Sequence, residues 1–163
     1  MHSALAIARD IGLRYIESST QLHLGQILTT LDQHALARQA LDAATAIADE
    51  LGGALPAFEV HAAQAELLLA AGGPDAAAQA LAALDTLVQT LLDPQTDQTG
   101  PRLSLHLHHT AHRVLAACGD PRAVALLARA RAELRLRSER IADTTTRRDY
   151  LQVAEHRALA QGS

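Results

Sequence analysis

Residues 106–112 read HLHHTAH, placing four of the chain's nine histidines within seven positions. Imidazole is the side chain that titrates nearest neutrality and the commonest metal ligand, so the cluster suggests a metal site, a proton relay or a pH-sensitive surface. Spacing narrows the choice. On a helix, residues four apart share a face, so His108 and His112 point together, while His109 is turned to the side and His106 faces elsewhere. Two imidazoles one turn apart supply half of a divalent site, which normally needs three or four ligands. The pair therefore reads first as part of a binding surface and second as a metal site.

Other chemistry is sparse. The single cysteine, Cys118, ends an apolar stretch before Gly119. Nothing adjacent would depress its pKa, so it reads as a small buried hydrophobe and not as a nucleophile. There is no GxxxxGK[ST] phosphate loop, GxGxxG turn, HExxH helix or GxSxG elbow. Carboxylates are scattered and not paired, which leaves general acid–base catalysis without a home. The sequence thus assigns no catalytic residue, no metal and no cofactor.

The elements that must position these residues follow from composition and pattern. Apolar residues make up 48% of 163 positions, but alanine dominates them and aromatics are 2%. Such a core suits close-packed helices, because sheets favour β-branched and aromatic residues. One cysteine excludes an internal disulfide framework and fits a reducing compartment. No run of 18 apolar residues and no charged-then-apolar leader is present, so a soluble cytoplasmic protein with no membrane partner is expected. All fourteen basic residues are arginine. Residues 1–100 hold 3 of them against 12 acids, a balance of −9, and residues 101–163 hold 11 against 6, a balance of +5. Arg129, Arg131, Arg135, Arg137 and Arg140 crowd one segment, with Arg131 and Arg135 one turn apart. No aromatics interleave with them for base stacking, which disfavours nucleic acid and points to a solvated face or an acidic neighbouring domain.

Internal repetition sets the fold class. ALAIARDIG (4–12) recurs as ATAIADELG (44–52), and GGPDAAAQAL (72–81) is echoed by CGDPRAVALL (118–127). Segments with 3.6-residue apolar spacing predict helices over 2–12, 18–31, 33–51, 56–72, 74–92, 101–118, 121–142 and 145–160. Asp32 and Asp120 are placed to cap helix starts, Pro74 and Pro121 fit first turns, and Gly52 and Gly72 fit left-handed exits. The stretch LLDPQTDQTGPRL, with Pro94, Gly100 and Pro101, is the one long break. Short turns between helix pairs at this period predict an all-α solenoid of antiparallel pairs with a C-terminal capping helix.

On these residues the chain resembles the tetratricopeptide repeat family. In HLGQILTTLDQHALARQALDAATAIADE, Leu24-Gly25, Leu28, Ala37, Leu41 and Ala44 fall at the family spacing. Weaker echoes run through Ala65, Leu68, Ala77, Leu81 and Leu84, and through Ala111, Val114, Ala123, Leu127 and Ala130, both without the Leu-Gly pair. The resemblance implies one domain over 1–163: a half repeat at 2–12, repeats over about 18–51, 58–92 and 104–142, and a cap over about 145–160. It also implies a concave groove lined by first helices. By the family register the groove is lined by Leu22, Gln26, Thr30, Glu59, Glu66, His108 and His112, with Ser19, Thr29, Ala62, Leu69, Ala70, Leu105, Leu115 and Ala116 in the same rows. Glu66 is then the only third ligand a metal at His108 and His112 could find. The tail ERIADTTTRRDYLQVAEHRAL is similar to the end of repeat regions in large bacterial signalling ATPases, through Arg147, Arg148, Tyr150, Leu151, Val153, His156 and Arg157. Tyr150, Leu151 and Val153 are expected to pack inward and the arginines to face water. With 2–12 read as a second helix lacking its partner, the chain looks like part of something longer. The expected function is a non-catalytic interaction and regulatory module that holds a protein or peptide segment in the groove and contacts other domains of its parent. The alternative is a sensor that binds a small effector or signal peptide there.

Overall fold

The computed structural model describes residues 4–95 and 103–162, with side chains from residue 12 onward. Every regular element among them is helical: α1 (Ala4–Thr30), α2 (His34–Leu51), α3 (Ala54–Ala71), α4 (Ala76–Leu92), α5 (Leu105–Ala117), α6 (Arg122–Glu139), α7 (Thr144–Gln152) and α8 (Ala154–Gln161). They pack in consecutive pairs within two compact units, Met1–Ala83 and Leu84–Ser163.

In the first unit, α1 and α2 run antiparallel, as their cross-links show. Arg14 bonds Glu50, the Ser18 hydroxyl donates to the Ala44 carbonyl at 3.2 Å, and Gly25 lies against Leu41. Leu22, Ala37, Leu41, Ala44, Ala48, Val60, Ala63 and Leu67 form the core. Alanine at so many of these positions is what lets α1, α2 and α3 approach closely and fill space at native density. The turns α2–α3 and α3–α4 each begin on a glycine with positive φ, Gly52 at 69° and Gly72 at 70°, as the sequence predicts for helix exits.

The helices predicted over 2–12 and 18–31 both fall in the single element Ala4–Thr30, positions 2 and 3 lying outside the described residues. The apolar spacing predicts a helix end at Gly12, but LRYIE (13–17) contains no breaker, and the roughly 1 kcal/mol cost of an interior glycine is small beside the packing of α1 on α2. Asp32 does not cap α2. It adopts φ 56° and ends α1, with Gln33 N–H donating to the Leu28 carbonyl at 2.9 Å. Aspartate tolerates this left-handed conformation, so it stands where a glycine usually does.

In the second unit, α5 pairs with α6, and α8 packs on both. Leu105, Ala130, Leu134 and Leu159 form a core against which Leu127, Tyr150 and Leu151 pack. Ser104 and Asp120 act at helix starts, accepting from Leu107 N–H at 3.3 Å and Arg122 N–H at 2.8 Å. The segment predicted as one helix over 145–160 breaks at Val153, whose φ and ψ of −54° and 134° are extended. This corner turns Val153 outward, 45% exposed, so only Tyr150 and Leu151 of the expected trio pack inward. His156 holds the corner: its Nδ1–H donates to the Tyr150 carbonyl at 2.6 Å, and the two rings meet at a 52° tilt with centroids 4.3 Å apart. Of the 93–101 break, Pro94 lies in a turn, whereas Gly100 and Pro101 fall outside the described residues.

Candidate binding site

Ser104 begins α5, and the first two turns of that helix carry the histidine cluster. His108 is buried at 6% exposure, and its Nδ1–H donates to the Ser104 carbonyl at 2.9 Å. A carbonyl can only accept, so this contact fixes the tautomer. Burial pushes the His108 pKa below the ordinary histidine value, and the cations Arg137 and Arg129 add to the shift, although the Ser104 hydrogen bond opposes it. His112 is equally enclosed, and its Nδ1 is buried without a hydrogen-bond partner. Burial, then the charge of Arg131, lowers its pKa as well. Both rings are therefore held neutral within the packing of the second unit. His106, which the helical spacing turned away from this pair, reaches Glu155 on α8, with Nδ1 2.9 Å from Oε1. That contact holds the Glu155 carboxyl below its usual range. Among the described residues, no three His, Cys, Asp or Glu side chains gather to hold a metal.

The residues expected along the groove divide between the units. In the first, Leu22 is closed into the core, Gln26 is half-buried, and the exposed Thr30 bonds its hydroxyl to the Ile27 carbonyl at 2.7 Å. Glu59 and Glu66 on α3 are half-buried. In the second, His108 and His112 are buried, as are Leu105 and Leu115 from the same rows. Cys118 ends α5, half-buried, and Gly119 with φ 64° follows it.

The arginine-rich segment is largely absorbed by the fold. Arg129 donates to the Asp93 carbonyl beyond the end of α4 at 2.8 Å, and Arg131 donates to Leu159 and Ala160 at the end of α8 at 2.9 and 3.0 Å. Arg147 donates twice to the Ile141 carbonyl beyond α6, at 2.9 and 2.6 Å, so it is not the water-facing residue expected. Helix C-termini present unpaired carbonyls and partial negative charge, which cations satisfy. Arg137 bridges Glu133 at 2.6 Å and the Leu103 carbonyl at 2.7 Å, while Arg122 bonds Asp120 and Asp85. Arg135, Arg140, Arg148 and Arg157 remain exposed.

A cleft of about 260 Å³ lies within the first unit, and sequence reasoning did not single it out. Arg38 and Asp42 stand one turn apart on α2, facing Gln64 on α3 and Gln79 on α4, over a floor of Leu41, Leu67 and Leu68. Gln64 is oriented by donating from Nε2 to Thr45 Oγ1 at 2.9 Å. One cation, one anion and two amides above an apolar floor can hold a single polar side chain by its hydrogen bonds and its aliphatic stem. The available sequence signal was the i, i+4 placement of Arg38 and Asp42 on the second helix of the first repeat; their meeting with Gln64 and Gln79 depends on tertiary packing. No protein-family model, curated protein or solved structure matches the chain.

Proposed function

We propose that the chain is a non-catalytic docking module of tetratricopeptide type, serving as the C-terminal repeat region of a multidomain bacterial signalling or transcription-regulating ATPase. The observation that carries this reading is the crossing of α1 and α2 at Gly25. A Cβ built there would fall 2.6 Å from Leu41 Cγ and Cδ2. The family resemblance assigns a small residue to that position and a large one to position 41, and the tight contact between them supports the reading. The inward-packed Tyr150 and Leu151 suit a cap that hides the last repeat's apolar face.

The Arg38–Asp42 cleft suits a docked protein segment better than a whole effector. Pockets for drug-sized ligands enclose roughly 300–1,000 Å³, and the Arg38–Asp42 cleft falls short of that. It accommodates one side chain of a docked segment, with Arg38 and Asp42 supplying orientation. The test is selection of a displayed peptide library on the protein, followed by titration of the enriched peptides. Asp42→Ala and Arg38→Ala should each weaken binding at least about tenfold, near 1.4 kcal/mol, while Tyr15→Ala should leave it unchanged. Peptides that bind equally to all variants would move the docking surface elsewhere, and failure to enrich any peptide would count against a docking module.

A further inference from the structure

The cleft in the first unit is walled by polar groups that the fold itself does not use. Arg38 and Asp42 are both exposed on α2, and among the described residues neither joins a hydrogen bond or an ion pair. Their order accords with this, because a base one turn before an acid is the weaker arrangement on a helix. Gln79 on the α4 wall is likewise exposed and unengaged among the described residues.

Gln64, by contrast, has its orientation set. The Thr45 hydroxyl donates to the Leu41 carbonyl at 2.8 Å, so its oxygen can only accept from Gln64, 2.9 Å away. That contact assigns the Gln64 nitrogen to Thr45 and leaves Oε1 as an acceptor that no described residue occupies. The cleft therefore offers a donor-only group in Arg38, an acceptor-only group in Asp42 and an oriented acceptor in Gln64, above Leu41, Leu67 and Leu68.

Few side chains answer that set. An incoming lysine or arginine neutralises Asp42 but brings like charge to Arg38, and a glutamate does the reverse. An aliphatic side chain takes water from all three groups and pairs with none. A serine hydroxyl both donates and accepts, but from one atom and without a stem to lie on the leucines. A carboxamide is uncharged, accepts through its oxygen and donates through two N–H groups aimed at different partners. With the docking function above as premise, we infer that the cleft is a glutamine pocket. The side-chain oxygen of a glutamine in the docked segment accepts from Arg38, its N–H groups donate to Asp42 and Gln64, and its methylenes lie on the leucine floor. Asparagine, one methylene shorter, covers less of that floor.

Nuclear magnetic resonance on the isotope-labelled chain, titrated with N-acetyl-glutamine methylamide, tests the pocket apart from any peptide. The side-chain amide signals of Gln64 and Gln79 should shift with a dissociation constant in the millimolar range, as befits so small a fragment. The glutamate and lysine analogues should bind at least about tenfold more weakly, one charge-assisted hydrogen bond being worth about that much. Asp42→Ala should reverse the order in favour of glutamate, and Arg38→Ala in favour of lysine. Both residues are exposed, so helical circular dichroism should not change. Equal shifts from all three analogues, no shift at Gln64 by about 100 mM, or a ranking that survives both substitutions would each overturn the glutamine pocket. In the peptide selection above, enriched sequences without glutamine would sink this pocket and leave the docking module standing. A fragment that binds while no peptide enriches would do the opposite.

Discussion

Gly25→Ala should change the sign of its effect according to what occupies position 41. In the native chain the new Cβ lies 2.6 Å from two atoms of Leu41, a fully buried side chain surrounded by Ala37, Ala44 and Val60. Ordinary carbon contact needs about 3.5–4.0 Å, so Leu41 or the helix must shift by about an ångström inside a close-packed core. Overpacking of this kind costs about 1–3 kcal/mol. Replacing an interior helical glycine returns about 1 kcal/mol. The net effect is destabilisation by about 1 kcal/mol, or about 2–4 °C in melting temperature for a chain of this length. Leu41→Ala alone should cost about 2–5 kcal/mol through the cavity it leaves. Added to that variant, Gly25→Ala keeps only an ordinary contact with the Ala37 carbonyl oxygen, 3.4 Å away, and should stabilise by about 1 kcal/mol, giving a coupling of about 2 kcal/mol. Urea titrations of the four proteins, followed by circular dichroism at 222 nm, measure the cycle. If Gly25→Ala stabilises both backgrounds equally, the close approach of α1 to α2 is wrong.

The second unit should lose stability as pH falls below about 6.5. His108 and His112 have folded pKa values below the ordinary one, so the unfolded chain binds their protons first. Each group contributes a slope of at most about 1.4 kcal/mol per pH unit. Chemical denaturation at pH 7.5 and 5.5 should show the loss, and a flat profile would contradict neutral burial. Because His112 Nδ1 has no partner, His112→Leu should be neutral or stabilising at pH 7.5 and should flatten the profile; a loss above about 2 kcal/mol in the same titration would refute that. Arg131→Met removes both donors from the Leu159 and Ala160 carbonyls and should weaken α8 by about 1–2 kcal/mol. Hydrogen exchange should then accelerate over 154–161 while α2 is unchanged.

Much of the helical framework was legible because its signals are local. Gly52, Gly72 and the Asp120–Pro121 start each act on their own few residues, through positive φ or a side chain within reach of an orphan N–H. Alanine at the repeat positions likewise announces close helix contact before any partner is known. The candidate site was much less legible. The register suggested which residues share a row, but burial of His108, His112 and Leu22 is set by neighbouring helices that helical spacing does not specify.

By itself, then, the sequence determined that this chain is helical and where most of its turns lie. Helix periodicity and turn chemistry are short-range properties, written within a few residues. Only the tertiary structure decided that the helix runs unbroken through Gly12 from Ala4 to Thr30, that Asp32 ends α1, and that Val153 breaks the tail. It also decided that His106 meets Glu155 across 49 positions and that Arg129, Arg131 and Arg147 secure helix ends. The reason is one of range: an arginine's charge is visible in sequence, but the carbonyl that needs it is brought into reach only when the chain is folded.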